Sequence, residues 1–178
     1  LLDAENDIRQ VLVRQEANGG HAANGYARIS GKPAVCIATS GPGATNLITA
    51  IATAYADSIP IVCITGQVNT DQIGSDVFQE ADITGSAEPF VKHSYLLKDP
   101  EDTARVFKEA FYIAGTGRPG PVLIDIPMDV QKAVIDFEYP EKCEIRSYKP
   151  TTKGNYVQVR RVMAALEEAE KPLICIGG

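Results

Sequence analysis

One carboxylate stands apart near the start of the chain. Glu16 sits in LVRQEANGGHAANGYAR, residues 12–28, between an apolar run and a segment built mostly from Ala, Gly and Asn. An acid at that junction has two readings. It is a first-turn acid favoured by the helix macrodipole, or an acid in low dielectric whose raised pKa lets it exchange a proton with a ligand nitrogen. Ala17, Gly19, Gly20, Ala22 and Ala23 leave room beside it for neighbouring backbone or a flat ring. His21 is five residues on, off the i+4 face of Glu16, and reads as a packed or capping histidine rather than a proton relay.

Two further polar features follow strand-like runs: Thr39-Ser40-Gly41-Pro42-Gly43 and Gly66-Gln67. The glycines of SGPGATN allow backbone to approach a ligand closely. The stretch lacks the Lys-Ser/Thr of a phosphate-binding P-loop and does not match GxGxxG, so taken alone it also describes a tight turn between strand and helix. The three features share one property. Each lies where a strand of an open α/β sheet would present its carboxyl end, which is where such sheets bind ligands.

The elements that must position these residues alternate. Residues 8–13 (IRQVLV) read as a strand, and Glu16 opens a helix to about Ser30 with Gly31 as its natural C′ residue. Residues 34–39 (AVCIAT) form a short apolar run, as a strand covered on both faces would. From Ala44 to about Asp57, Leu47, Ile48, Ile51, Ala54 and Tyr55 recur with a helical period. Pro60 opens a buried strand, IVCIT. Residues 67–89 are polar and aperiodic, long for a connection, and long connections are often functional. Residues 91–97 suit an edge strand. Asp99-Pro100-Glu101-Asp102 starts a helix that ends at Gly115, and VLIDIP is a further strand. This order predicts an α/β fold: a doubly wound, mainly parallel sheet with helices on both faces. Residues 132–154 read as a linker. A helix carrying Val159, Val162, Met163 and Leu166, then a strand, LICIGG, look like the start of a second α/β domain.

Composition narrows the partners. With 44% hydrophobic residues the chain can bury a core, and a net charge of −6 argues against nucleic acid or an anionic membrane surface. No apolar stretch reaches the ~20 residues of a membrane-spanning helix. Cys36, Cys63 and Cys175 lie inside apolar runs and no CxxC occurs, which suits structural thiols and a reducing, cytoplasmic setting.

The segment QEANGGHAANGYARISGKPAVCIATSGPGATNLITAIATAYADSIPIVCITGQV strongly resembles the pyrimidine-binding domain of thiamine-diphosphate enzymes. GSDVFQEADITGSAEPFVKHSYLL and GRPGPVLIDIPMDVQ narrow the resemblance to the catalytic subunits of acetolactate (acetohydroxyacid) synthases. It implies residues 1–131 as the pyrimidine-binding domain, lacking its first strand and loop, 132–154 as linker, and 155–178 as the start of the central domain. It implies that Glu16 hydrogen-bonds N1′ of the aminopyrimidine and so activates the thiazolium carbon. Thr39, Pro42 and Asn46 then line the pyrimidine pocket, Gln79 lies near the reacting centre, and Phe78 lies near the substrate channel and flavin.

The implied reaction decarboxylates pyruvate and joins the two-carbon unit to pyruvate or 2-oxobutyrate. The implied cofactors are thiamine diphosphate, FAD, and Mg²⁺ bound by a domain outside this chain. The implied partners are a second catalytic subunit, as homodimer or homotetramer through the cofactor site, and a small regulatory subunit. The isolated chain is expected to be inactive. Gln15-Glu16-Ala17 departs from the family's frequent His-Glu-Gln, Met128 replaces a lysine near the substrate entrance, and Asn69 replaces a proline after GQV. A related 2-oxo acid decarboxylase is the alternative, and a non-catalytic nucleotide-binding or interaction domain the remote one.

Overall fold

The sheet is built from four short runs rich in β-branched and small residues. In a computed structural model, which describes residues 8–176, these runs are β1 (Ala34–Ala38), β2 (Ile61–Gln67), β3 (His93–Leu96) and β4 (Val122–Pro127). All pair in parallel, in the order β1-β2-β4-β3. The helices between them are α1 (Glu16–Ser30), α2 (Pro42–Asn46), α3 (Ile48–Ala56), α4 (Ile83–Ala87) and α5 (Thr103–Gly115). After β4 come α6 (Met128–Lys132) and α7 (Tyr156–Glu168).

Parallel strands need crossovers, and the crossovers cover the sheet. Residues of α1, α3 and α4 pack on one face with Ala34, Cys36, Ile61, Cys63 and Leu123. On the other face, Val106, Ala110, Ile113 and Ala114 of α5 pack with Val62, Val122 and Ile124. The expected doubly wound α/β arrangement is therefore present. Gly31 ends α1 in the left-handed conformation (φ 67°), and its N–H bonds to the carbonyl of Ala27. Asp99 caps the 3₁₀ turn Pro100–Asp102 that leads into α5, accepting from the N–H of Glu101.

Four expectations are corrected. Residues 8–13 form no strand: Ile8, Val11 and Leu12 are exposed, and a strand needs a ladder partner, which none of β1–β4 supplies. The apolar run of β1 is buried on one face only, with Val35 and Ile37 exposed, because α5 covers the second face over β2 and β4. The helix expected over 44–57 is two helices. Its break falls at Leu47, whose N–H bonds three residues back to Ala44. Residues 173–176 (LICI) also form no strand, since no described residue pairs with them; Gly177 and Gly178 of that run lie outside the described residues.

The chain divides into two compact units, Leu1–Tyr148 and Lys149–Gly178. The boundary falls within the stretch read as linker. Up to Tyr148 that stretch belongs to the first unit. Ile145 and Tyr148 pack on the α5 core, and Lys92 Nζ donates to the Tyr148 hydroxyl (2.9 Å) and to the carbonyls of Ile113 and Thr116 at the α5 C-terminus. In the second unit, Asn155 caps α7 by accepting from the N–H groups of Val157 and Gln158.

Candidate functional site

Glu16 is the first residue of α1. The Gln15 backbone is extended, so α1 begins abruptly and its opening side chain is delivered toward the α2 turn. There the Asn46 amide donates to Glu16 Oε2 at 3.0 Å. The other oxygen, Oε1, lies over Gly43: a methyl group at Gly43 would stand 3.4 Å from it and 2.7 Å from Thr39 Cγ2. Gly43 is thus what lets Thr39 and the carboxylate share one place. Glu16, Thr39, Gly43 and Asn46 come from α1, the end of β1 and α2, and the fold brings them together.

The carboxylate is half-buried, and its pKa is lowered. The Asn46 hydrogen bond is the largest cause and the backbone at its own position the next, while partial burial opposes them. This corrects the expected raised pKa. Donors aimed at a carboxylate favour its charged form, and here they outweigh desolvation. Of the two readings of the small residues, the structure shows a neighbouring helix at Gly20. Gly20, Ala23 and Ala27 of α1 are buried, and a methyl at Gly20 would stand 2.5 Å from Ala50 Cβ. They let α1 and α3 approach. Ala22 is exposed, as is His21, which is neither packed nor at the helix cap.

Gln79 reaches the same turn from the long connection. It adopts φ 61°, and its backbone is pressed on Gly41, where an added methyl would meet Gln79 O at 2.8 Å and Cα at 2.9 Å. Gly41 is itself at φ 62°, ψ −120°, a region open to glycine almost alone. Phe78 beside it is 88% exposed, available to a neighbour rather than to this core. Pro42 opens α2 and is exposed. The connection contains α4, which leaves 68–82 as the irregular part.

Several residues around the site were not singled out from the sequence. Asp125 is 1% exposed in β4, accepting from Thr65 Oγ1 (2.6 Å) and Gln67 Nε2 (2.9 Å). Burial is the main cause that pushes its pKa up to about 6; the hydrogen bonds from Thr65 and Gln67 oppose this and the charge of Asp82 adds to it. Asp129 accepts from the N–H and hydroxyl of Thr70, which lowers its pKa. Glu80 accepts from the N–H groups of Gly74 and Val77. An ionisable residue inside VLIDIP was the signal, since a buried acid requires partners. Among the described residues, no group of three or more His, Cys, Asp or Glu is placed to hold a metal ion, and no helix is long and apolar enough to cross a membrane. Cys36 and Cys63 are free thiols that face each other across β1 and β2 with Sγ atoms 3.3 Å apart.

A carboxylate with one oxygen engaged by an amide and the other over a glycine fits a ligand ring that offers an N–H. Comparison with known proteins gives matches along the chain. The family described as thiamine pyrophosphate enzyme, N-terminal TPP binding domain, matches residues 1–86. The acetolactate synthase of Arthrospira platensis is 52% identical over 174 residues, 97% of this chain and 30% of that protein. The acetolactate synthase large subunit of Corynebacterium glutamicum is 49% identical, over 99% of this chain and 28% of its own length. That of Haemophilus influenzae is 51% identical, over 96% and 30%. The chain therefore spans about three-tenths of the length of these curated relatives. Residues 1–86 thus match a thiamine pyrophosphate enzyme domain family, and nearly all of the chain is similar to one segment of acetolactate synthase large subunits.

Proposed function

We propose that this chain is the pyrimidine-binding part of a thiamine-diphosphate-dependent carboligase that decarboxylates pyruvate and joins the two-carbon unit to a second 2-oxo acid, pyruvate or 2-oxobutyrate. The observation that carries the reading is the Glu16 carboxylate, fixed by Asn46 over Gly43 beside Thr39. Thiamine diphosphate, when bound, supplies the electron sink that decarboxylation of a 2-oxo acid requires. The chain supplies position and a proton partner. Glu16 Oε1 accepts the hydrogen bond of a ring nitrogen, and Asn46 holds the carboxylate through Oε2 and favours its charged form. Thr39, Pro42 and Gly43 form the wall against which the ring lies, and Gln79 brings an amide to the reacting side.

Within the same proposal, residues 1–131 are the pyrimidine-binding domain, 132–154 the linker and 155–178 the start of the next domain. Mg²⁺ and the diphosphate are held by another part of the enzyme, FAD lies beside exposed Phe78, and a second catalytic subunit completes the site. The enzyme works in the cytoplasm and accepts a small regulatory subunit.

The test uses the full-length enzyme with pyruvate, assaying acetolactate against acetaldehyde. Wild type is expected to make acetolactate. Glu16→Gln is expected to lose turnover by about 10²-fold or more, as removal of a positioned proton partner does. Acetaldehyde as the main product would replace the carboligase with a decarboxylase, and an unimpaired Glu16→Gln enzyme would remove Glu16 from the mechanism.

A further inference from the structure

Gln67 ends β2 inside the protein, 7% exposed, with its whole side chain engaged. Nε2 donates to Asp125 Oδ2 at 2.9 Å and to the Ala81 carbonyl at 2.8 Å, while Oε1 accepts from the Val68 N–H at 2.9 Å. Val68 opens the irregular segment that carries Gln79, and Ala81 lies one residue before its end. One amide therefore closes that loop and fastens the closure to β4. Asp125 cannot swing away, because its other oxygen is held by Thr65. Within the loop, Asp129 holds Thr70, and Glu80 gathers Gly74 and Val77. The product of this bracing is a non-glycine residue, Gln79, kept at φ 61° with its backbone against Gly41. Left-handed backbone at a side-chain-bearing residue persists only where its surroundings over-determine it.

We infer that Gln67 and Asp125 are positioning residues, a clasp that sets where Gln79 meets the Thr39–Gly43 turn and so supports turnover without touching substrate or cofactor. The inference rests on the proposed function for what Gln79 does there; the clasp itself rests on the hydrogen bonds. Its chemistry is selective. The clasp needs an acceptor facing Gln67 Nε2 and a partner facing the Thr65 hydroxyl, which can donate or accept. Asn at position 125 meets both needs, with its carbonyl toward Gln67 and its NH₂ toward Thr65 Oγ1. Ala meets neither, and Met at position 67 loses the donor and the acceptor together.

The test compares Asp125→Ala, Asp125→Asn and Gln67→Met in the full-length enzyme. For Asp125→Ala and Gln67→Met, amide hydrogen exchange over residues 68–82 is expected to accelerate by about tenfold or more while β1 and β2 keep their protection. Their kcat is expected to fall by about a hundredfold, as a misplacement of about 1 Å does, with KM for pyruvate little changed. Asp125→Asn is expected to restore both exchange and kcat toward wild type. Wild-type exchange over 68–82 in folded Asp125→Ala would overturn the clasp, as would an Asp125→Asn enzyme as impaired as Asp125→Ala. An inactive wild-type enzyme would instead bring down the functional reading, and the exchange pattern alone would then uphold or overturn the clasp.

Discussion

Asn46 and Glu16 are thirty positions apart, yet the amide of one lowers the pKa of the other. Removing that donor has a definite sign. In Asn46→Leu the largest cause that lowers the Glu16 pKa is gone, so the pKa rises toward the ordinary carboxylate value. In the full-length enzyme the acid limb of the kcat/KM profile is expected to move to higher pH, because Glu16 then protonates earlier on acidification. An acid limb that stays in place would show that another group governs it. At this scale the sequence was partly readable. Glu16 stood out by its setting and Thr39, Pro42, Asn46, Phe78 and Gln79 were named by resemblance, whereas the direction of the Glu16 shift was not legible. That direction depends on whether a donor or a dry wall dominates, and only the folded geometry distinguishes them.

Between elements, the small residues of α1 act on helix packing. Gly20 faces Ala50 across the α1–α3 contact, while Gly25, on the same helix, meets nothing within 4 Å. Alanine at the two positions should therefore have opposite effects. Gly25→Ala is expected to stabilise by about 0.5–1 kcal/mol through reduced backbone entropy in the unfolded chain. Gly20→Ala gains the same term but must push two helices apart, for a net loss of about 1–2 kcal/mol. Urea unfolding of the two variants checks both signs, and equal effects would refute the packing role. Gly41 adds a second contact of this kind, since its φ, ψ and the Gln79 backbone both exclude a side chain. The sequence marked these glycines as places of close approach but left open whether a ligand or a neighbouring helix does the approaching.

For the whole molecule, the buried acid of β4 ties stability to pH. Asp125 has its pKa pushed up to about 6 from an ordinary 3.8. Between those values the folded chain binds more protons than the unfolded one, so this group's contribution to stability falls as pH rises through that window. A shift of about two units corresponds to about 3 kcal/mol. Glu16, Glu80 and Asp129 carry lowered pKa values and act in the opposite direction, losing stability as pH falls. The difference between wild type and Asp125→Asn isolates the one slope. Relative to Asp125→Asn, the wild type is expected to lose about 2–2.5 kcal/mol between pH 4 and pH 7, read from urea midpoints. A difference that does not vary with pH would mean that Asp125 titrates normally.

The sequence by itself determined the alternation of strands and helices, the glycine turn after β1 and the acid at the head of α1, because hydrophobic period and turn chemistry are local properties. It misjudged residues 8–13 and 173–176, where apolar composition suits a strand but neither segment joins the ladders of β1–β4. Only the tertiary structure decided that β1 has one open face, that α2 and α3 separate at Leu47, and that Gln67 and Asp125, 58 positions apart, bind each other. Those outcomes depend on which segments meet across the sheet. Long-range pairing sets that, and no window of neighbouring residues contains it.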